Sequence, residues 1–162
     1  MKEIILGVGE YKATNMPGEC LKTYALGSCV AVIFLDAEHR SVGMAHIALP
    51  DSVVNPDRAV QYPAYFADTG VPILLKEMKR LGYSGSGRKI KVKLAGGASM
   101  LDDDRLFNIG ERNLTAIRKI LLIQGLSVSA EDVGGKISRN VSVDADTGAV
   151  MIQSRGIGIW NI

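Results

Sequence analysis

The chain has 162 residues, 47% hydrophobic and 22% charged, with 19 basic against 17 acidic side chains and a net charge of +2. That length fits one domain with a buried core of its own. The charge balance argues against the strongly basic face that nucleic-acid binding needs, and no apolar run approaches the ~18 residues of a membrane span.

In chain order, residues 4–8 form a short apolar run, expected as a strand, and Asn15-Met16-Pro17-Gly18 is a turn. Residues 20–24 are expected as a short strand, broken by Leu26-Gly27-Ser28. Residues 30–35 are apolar and rich in β-branched side chains, a buried strand. Residues 36–41 are polar, the loop of a hairpin, and residues 42–49 form its second arm, ended by Pro50-Asp51-Ser52. Residues 55–63 carry two prolines and are expected as a binding loop or lid.

A helix follows, with Thr69 as its expected cap, Pro72 in the first turn, and Val71, Leu74, Leu75, Met78 and Leu81 on its inner face. Gly82 ends it, and residues 84–89 are a flexible connection. Residues 90–94 alternate strictly, the pattern of a half-buried strand, and a glycine-rich turn follows at residues 95–99. Asn108 with Glu111 is expected to form a capping box for a second helix, which Gly125 ends. Residues 128–133 are a further strand, and residues 140–143 and 150–153 a last hairpin around Asp146-Thr147-Gly148. The tail holds the only tryptophan, Trp160. About seven strands and two main helices, with several local hairpins, define an α+β fold of packed mixed or antiparallel sheets in one domain over residues 1–162.

The cysteines, Cys20 and Cys29, have neither the spacing of a zinc or redox motif nor the number of a disulfide framework. With no apolar signal region at the N-terminus, the chain is expected to be cytosolic and complete. Cys29 follows Gly27-Ser28, and His46 lies seventeen residues later, on the second arm of the expected hairpin. A turn centred between Glu38 and His39 sets Ala31 opposite His46 and Cys29 opposite Ala48. Cys29, Ala31 and His46 then share one face, with the Cα atoms of Cys29 and His46 ~7–8 Å apart. A slip of one residue would send the imidazole to the other face.

A thiol beside an imidazole is a nucleophile with its base. Alkylation of such a thiol is expected to persist well below its ordinary pKa of about 8.5. Backbone N–H groups at the Gly27-Ser28 bend are candidates for holding an oxyanion. A third group usually orients the imidazole, and Thr23, Ser28 and Asp51 are all near enough in sequence. Taken singly, a cysteine in an apolar strand is most often a small buried hydrophobe, and a histidine in Met44-Ala45-His46-Ile47 a core residue. His39 reads as a solvated turn residue, and Gly96-Gly97 lacks a phosphate-loop context.

Eight motifs, taken together, go further. They are Gly7-Val8-Gly9-Glu10-Tyr11, Leu26-Gly27-Ser28-Cys29-Val30-Ala31-Val32, Gly43-Met44-Ala45-His46, Leu49-Pro50-Asp51-Ser52, Tyr65-Phe66-Ala67-Asp68, Ala95-Gly96-Gly97-Ala98-Ser99-Met100, Asn108-Ile109-Gly110-Glu111-Arg112-Asn113 and Glu131-Asp132-Val133-Gly134-Gly135. In this order the chain resembles the CheD family, chemoreceptor glutamine deamidases of bacterial and archaeal chemotaxis.

The resemblance implies a protein-glutamine glutaminase with Cys29 as nucleophile, His46 as general base and acid, and Thr23 as third member. It implies a fold similar to deamidases of the cytotoxic necrotizing factor type, and no metal or organic cofactor. It also implies a cytoplasmic protein recruited to chemoreceptors. The implied substrate is the cytoplasmic helical bundle of a methyl-accepting chemoreceptor, and glutamyl methyl esters fit the same chemistry. The implied regulatory partner is CheC, a phosphatase of phosphorylated CheY, with Gly96-Gly97 and residues 55–63 as candidate contact surfaces. An adaptor whose cysteine is incidental and a cysteine peptidase are the competing readings.

Overall fold

The computed structural model of the chain describes residues 1–85, 90–100 and 107–162. The strands are β1 (Lys2–Ile5), β2 (Tyr11–Thr14), β3 (Glu19–Leu26), β4 (Val30–Asp36), β5 (Ser41–Ile47), β6 (Ile90–Gly96), β7 (Val128–Val133), β8 (Arg139–Asp144), β9 (Val150–Ser154) and β10 (Gly158–Asn161). The helices are α1 (Pro56–Gln61), α2 (Ala67–Arg80) and α3 (Ile109–Ile123). One sheet has the order β1-β3-β8-β9-β10 and the other β2-β5-β4-β6-β7. β1 runs parallel to β3 and β6 parallel to β7, while the other pairs are antiparallel. Both sheets are therefore mixed, and the fold is α+β.

β4 explains why its sequence is apolar without a break. It lies in the middle of its sheet, and both of its faces are covered. Val30, Val32 and Phe34 join the core built with Leu74, Met78, Leu114 and Ile117 of α2 and α3. Ala31 and Ile33 join a second core with Leu21, Leu26, Val141 and Ile152 of the first sheet. The layers are helices, second sheet, first sheet. The outer face of the first sheet is wet, so β8 and β9 alternate buried and exposed positions.

A polar clamp joins the sheets at the end where β4 begins. The Arg139 guanidinium of β8 donates to Asp132 Oδ1 of β7 at 2.8 Å and to the Gly134 carbonyl at 3.0 Å. Trp160 Nε1 of β10 donates to the other Asp132 oxygen at 2.6 Å. Arg139 is buried, so its charge depends on these acceptors.

Several expectations shift. β2 and β10 add strands that no apolar pattern announces. The first strand begins and ends earlier than residues 4–8 suggest, and β3 runs on through Leu26 by way of an irregularity between Thr23 and Leu26, where Ala25 takes φ 57°. Residues 55–63 are not a loop. Asn55 accepts a hydrogen bond from the Arg58 N–H at 3.1 Å and caps α1, with Pro56 as its first residue. α2 starts at Ala67, a turn before Pro72, because the Ala67 N–H is taken by the Leu49 carbonyl and the Gly70 N–H by Phe66. Thr69 instead donates to the Pro63 carbonyl at 2.5 Å. Asn108 has φ 41° and hydrogen-bonds the Glu111 side chain rather than the helix backbone, so no capping box forms. The connection expected over residues 84–89 lies largely outside the described residues.

Removing the carboxylate from the clamp tests its weight. Asp132→Ala leaves a buried guanidinium short of its acceptor and is expected to cost roughly 3 kcal/mol. Urea unfolding of the two proteins measures it, and a loss under about 1 kcal/mol would place the sheet–sheet contact elsewhere.

Candidate active site

The β4–β5 ladder carries the expected register: Ala31 pairs with His46, and Asp36 pairs with Ser41 at the turn end. Odd positions of β4 and even positions of β5 face the first sheet. His46 therefore points between the sheets, with Met44 and Val42. Cys29, two residues before Ala31, packs against the same inter-sheet core and stays partly exposed. His46 is thus buried in the inter-sheet layer, and the partly exposed Cys29 packs against the same layer.

Thr23 reaches His46 from β3, across the gap between the sheets. Its Oγ1 is 2.7 Å from His46 Nδ1 and 2.7 Å from the Leu6 carbonyl oxygen. The carbonyl only accepts, so the hydroxyl proton goes to Leu6. The Thr23 oxygen must then accept from the imidazole, which places the ring proton on Nδ1 and the free lone pair on Nε2. Nε2 is buried and has no hydrogen-bond partner among the described residues. The backbone of His46 is held as well, its N–H by the Glu10 carbonyl at 3.0 Å and its carbonyl by the Gly9 N–H at 2.9 Å.

Burial governs both titrations. It pushes the His46 imidazole down to about 4, against a weaker opposing pull from the Glu10 carboxylate. It pushes the Cys29 thiol up. Both shifts favour a resting pair of neutral thiol and neutral imidazole. Alkylation of Cys29 persisting far below its ordinary pKa, as the residue types suggested, does not fit this burial.

The loop bearing Cys29 is anchored by its carbonyls. Those of Gly27 and Cys29 accept from the Ala98 and Gly97 N–H groups, each at 2.8 Å. The Ser28 carbonyl accepts from Asn113 Nδ2 of α3 at 3.0 Å. A trans peptide points its N–H opposite to its carbonyl, so the Cys29 N–H is directed away from α3. It makes no hydrogen bond among the described residues. The turn beneath needs glycine: at Gly96 φ is +111°, and a Cβ would sit 2.2 Å from the Cys29 carbonyl oxygen.

Of the three candidates for orienting the imidazole, Thr23 is the one in contact with it. Asp51 is exposed and accepts from the Val53 N–H at 2.9 Å, and Ser28 contributes its carbonyl to Asn113. Gly96-Gly97 is buried under the cysteine loop and offers no contact surface, whereas Val53, Val54 and Val60 are exposed. His39 is not simply solvated, because its Nδ1 is 2.7 Å from the buried Asp36 carboxylate. Residue patterns gave no role to Asn113; its one signal was an amide on the buried face of a helix.

Comparison of the sequence with known proteins finds relatives in chemotactic signalling. The family model described as CheD chemotactic sensory transduction matches residues 48–154. A probable chemoreceptor glutamine deamidase CheD of Syntrophotalea carbinolica is 49% identical over 162 residues, covering 100% of both chains. The chemoreceptor glutamine deamidase CheD of Thermotoga maritima is 39% identical, covering 98% of this chain and 95% of that one. A third relative, from Syntrophus aciditrophicus, is 38% identical over 96% of each chain. The chain belongs to the CheD family.

The lowered His46 value makes stability depend on pH. The unfolded imidazole titrates near 6.5 and the folded one at about 4, so the unfolded chain binds the extra proton between those values. The contribution is complete above about pH 6.5 and disappears as pH falls through about 4. His46→Gln is expected to flatten that part of the acid slope by roughly 2–3 kcal/mol in urea unfolding at matched pH values. Equal slopes would mean that the ring is hydrated. Gly96→Ala combines a backbone clash with a left-handed φ and is expected to lose about 2 kcal/mol or more, read by the same method.

Proposed function

We propose that this protein hydrolyses the side-chain amide of glutamines on the cytoplasmic helices of a methyl-accepting chemoreceptor, releasing ammonia and leaving glutamate. Cys29 is the nucleophile, His46 the general base and acid, and Thr23 the residue that orients the imidazole. The observation that carries the reading is the free lone pair of the buried His46 Nε2, with the ring held by Thr23 and a partly exposed Cys29 thiol packed against the same inter-sheet core. The names of the relatives support the substrate class.

The resting pair is neutral, so the thiol loses its proton to Nε2 as the sulfur attacks the amide carbon. The carbonyl oxygen becomes an oxyanion, and the Cys29 N–H, which has no acceptor among the described residues, is the donor we assign to it. His46 passes the proton to the amide nitrogen, the C–N bond breaks, and ammonia leaves a glutamyl thioester. A water then gives a proton to Nε2 and attacks the thioester carbon. The C–S bond breaks, glutamate is freed, and the sulfur recovers its proton. A glutamyl methyl ester enters by the same attack and releases methanol. Residues 55–63, where Val60 is exposed, are the surface we assign to the regulatory partner CheC.

Ammonia release from a receptor cytoplasmic fragment tests the reading. Cys29→Ala and His46→Ala are expected to fall to background while Cys29→Ala still binds the fragment. Mass spectrometry is expected to find glutamine converted to glutamate in an uncut chain; cleaved fragments would indicate a peptidase. Wild-type ammonia release by Cys29→Ala would end the mechanism. Iodoacetamide alkylation of Cys29 is expected to be slow at neutral pH and to rise through and beyond about pH 8.5.

A further inference from the structure

Asn113 lies on the first turns of α3 and is fully buried. Its Nδ2 donates to two carbonyls, that of Ser28 at 3.0 Å and that of Ala48 at 2.9 Å. Both partners accept only, so the NH2 end must face them, and both of its hydrogens are used. Oδ1 is left buried without a partner among the described residues. An orphaned carbonyl oxygen is costly, so the amide at this position serves its donors.

These two carbonyls belong to the segments that carry the reacting groups. Ser28 C=O shares its peptide plane with the Cys29 N–H, and Ala48 lies two residues beyond His46. The donor is itself held at a set depth. A Cβ at Gly110 would come within 2.6 Å of the Gly97 and Ala98 carbonyl oxygens, so α3 rests directly on the turn beneath the cysteine loop.

We propose that Asn113 is a positioning residue: it orients the Ser28–Cys29 peptide so that the Cys29 N–H faces the substrate, and ties that peptide to the end of β5. The proposal rests on the deamidase reading for its catalytic consequence, while the tie itself does not.

The test uses the full chain and two readouts. In Asn113→Ala, kcat for ammonia release from a receptor fragment is expected to drop about 10²-fold, with KM changed by less than about threefold. Iodoacetamide labelling, read peptide by peptide, is expected to speed up about tenfold at Cys29 as the freed loop exposes the thiol. Cys20, buried in β3, is the internal reference and should keep its slow rate. Both thiols rising together would indicate general loosening and overturn the proposal, as would an unchanged Cys29.

If Asn113→Ala does not fold, Asn113→Asp decides. Its neutral acid form donates one of the lost bonds and its carboxylate none, so kcat is expected to recover at least about tenfold from about pH 8 to about pH 5. A profile shaped like that of the wild type overturns the proposal. A wild-type protein that releases no ammonia sinks the deamidase reading instead, and the thiol pattern then judges the tie alone.

Discussion

A hydroxyl group has one proton to give, and in this protein the Leu6 carbonyl takes the proton of Thr23. Everything about the imidazole follows from that. His46 must donate through Nδ1, and its second nitrogen is left with an open lone pair in a place where water is scarce. The same hydrogen bond joins the sheets, because Thr23 stands on β3 and His46 on β5. The contact that orients the ring thus also bridges the two layers.

Burial works in two directions here. It removes the drive for the thiol to ionise and for the imidazole to hold a proton. A preformed ion pair is therefore disfavoured, and in the proposed mechanism charge develops only as a bond forms. Groups that would compensate such charge must already be aimed, since a buried site has little water to reorient. In the cysteine loop the carbonyls of Gly27, Ser28 and Cys29 are all anchored, and the Cys29 N–H is directed away from α3. Three separate parts of the chain hold those carbonyls or the turn beneath them: the glycine turn, α3, and the clamp of Arg139 on Asp132 and Gly134.

The apolar cores carry the fold, and the polar contacts select its register. β4 buries residues on both faces, so it packs whether or not the site exists. What the apolar surface alone would not fix is which edge of which strand meets the histidine. Thr23 and Asn113 fix it, each a buried polar group whose partners lie far away in sequence, and the buried Arg139 adds its clamp between β8 and β7.

The β4–β5 hairpin was legible in the residues themselves. Two apolar runs separated by a short polar turn pair locally, and the period of two then puts His46 on the face of Ala31. The motifs that resemble the CheD family carried the same cysteine and histidine. The two long helices were legible from their spacing, though the start of α2 was set by the Leu49 carbonyl, which takes the Ala67 N–H. β2 and β10 were missed because edge strands of four residues leave little apolar pattern. Local patterning thus determined the hairpin, its register and the face its histidine takes, since those depend on neighbours along the chain. Residue spacing left three partners open for the imidazole and the resemblance named Thr23; the packing of one sheet on the other brings that hydroxyl to the ring and decided which amide holds the cysteine loop and which nitrogen stays free, because hydrogen bonds between distant segments leave no periodic trace in a sequence.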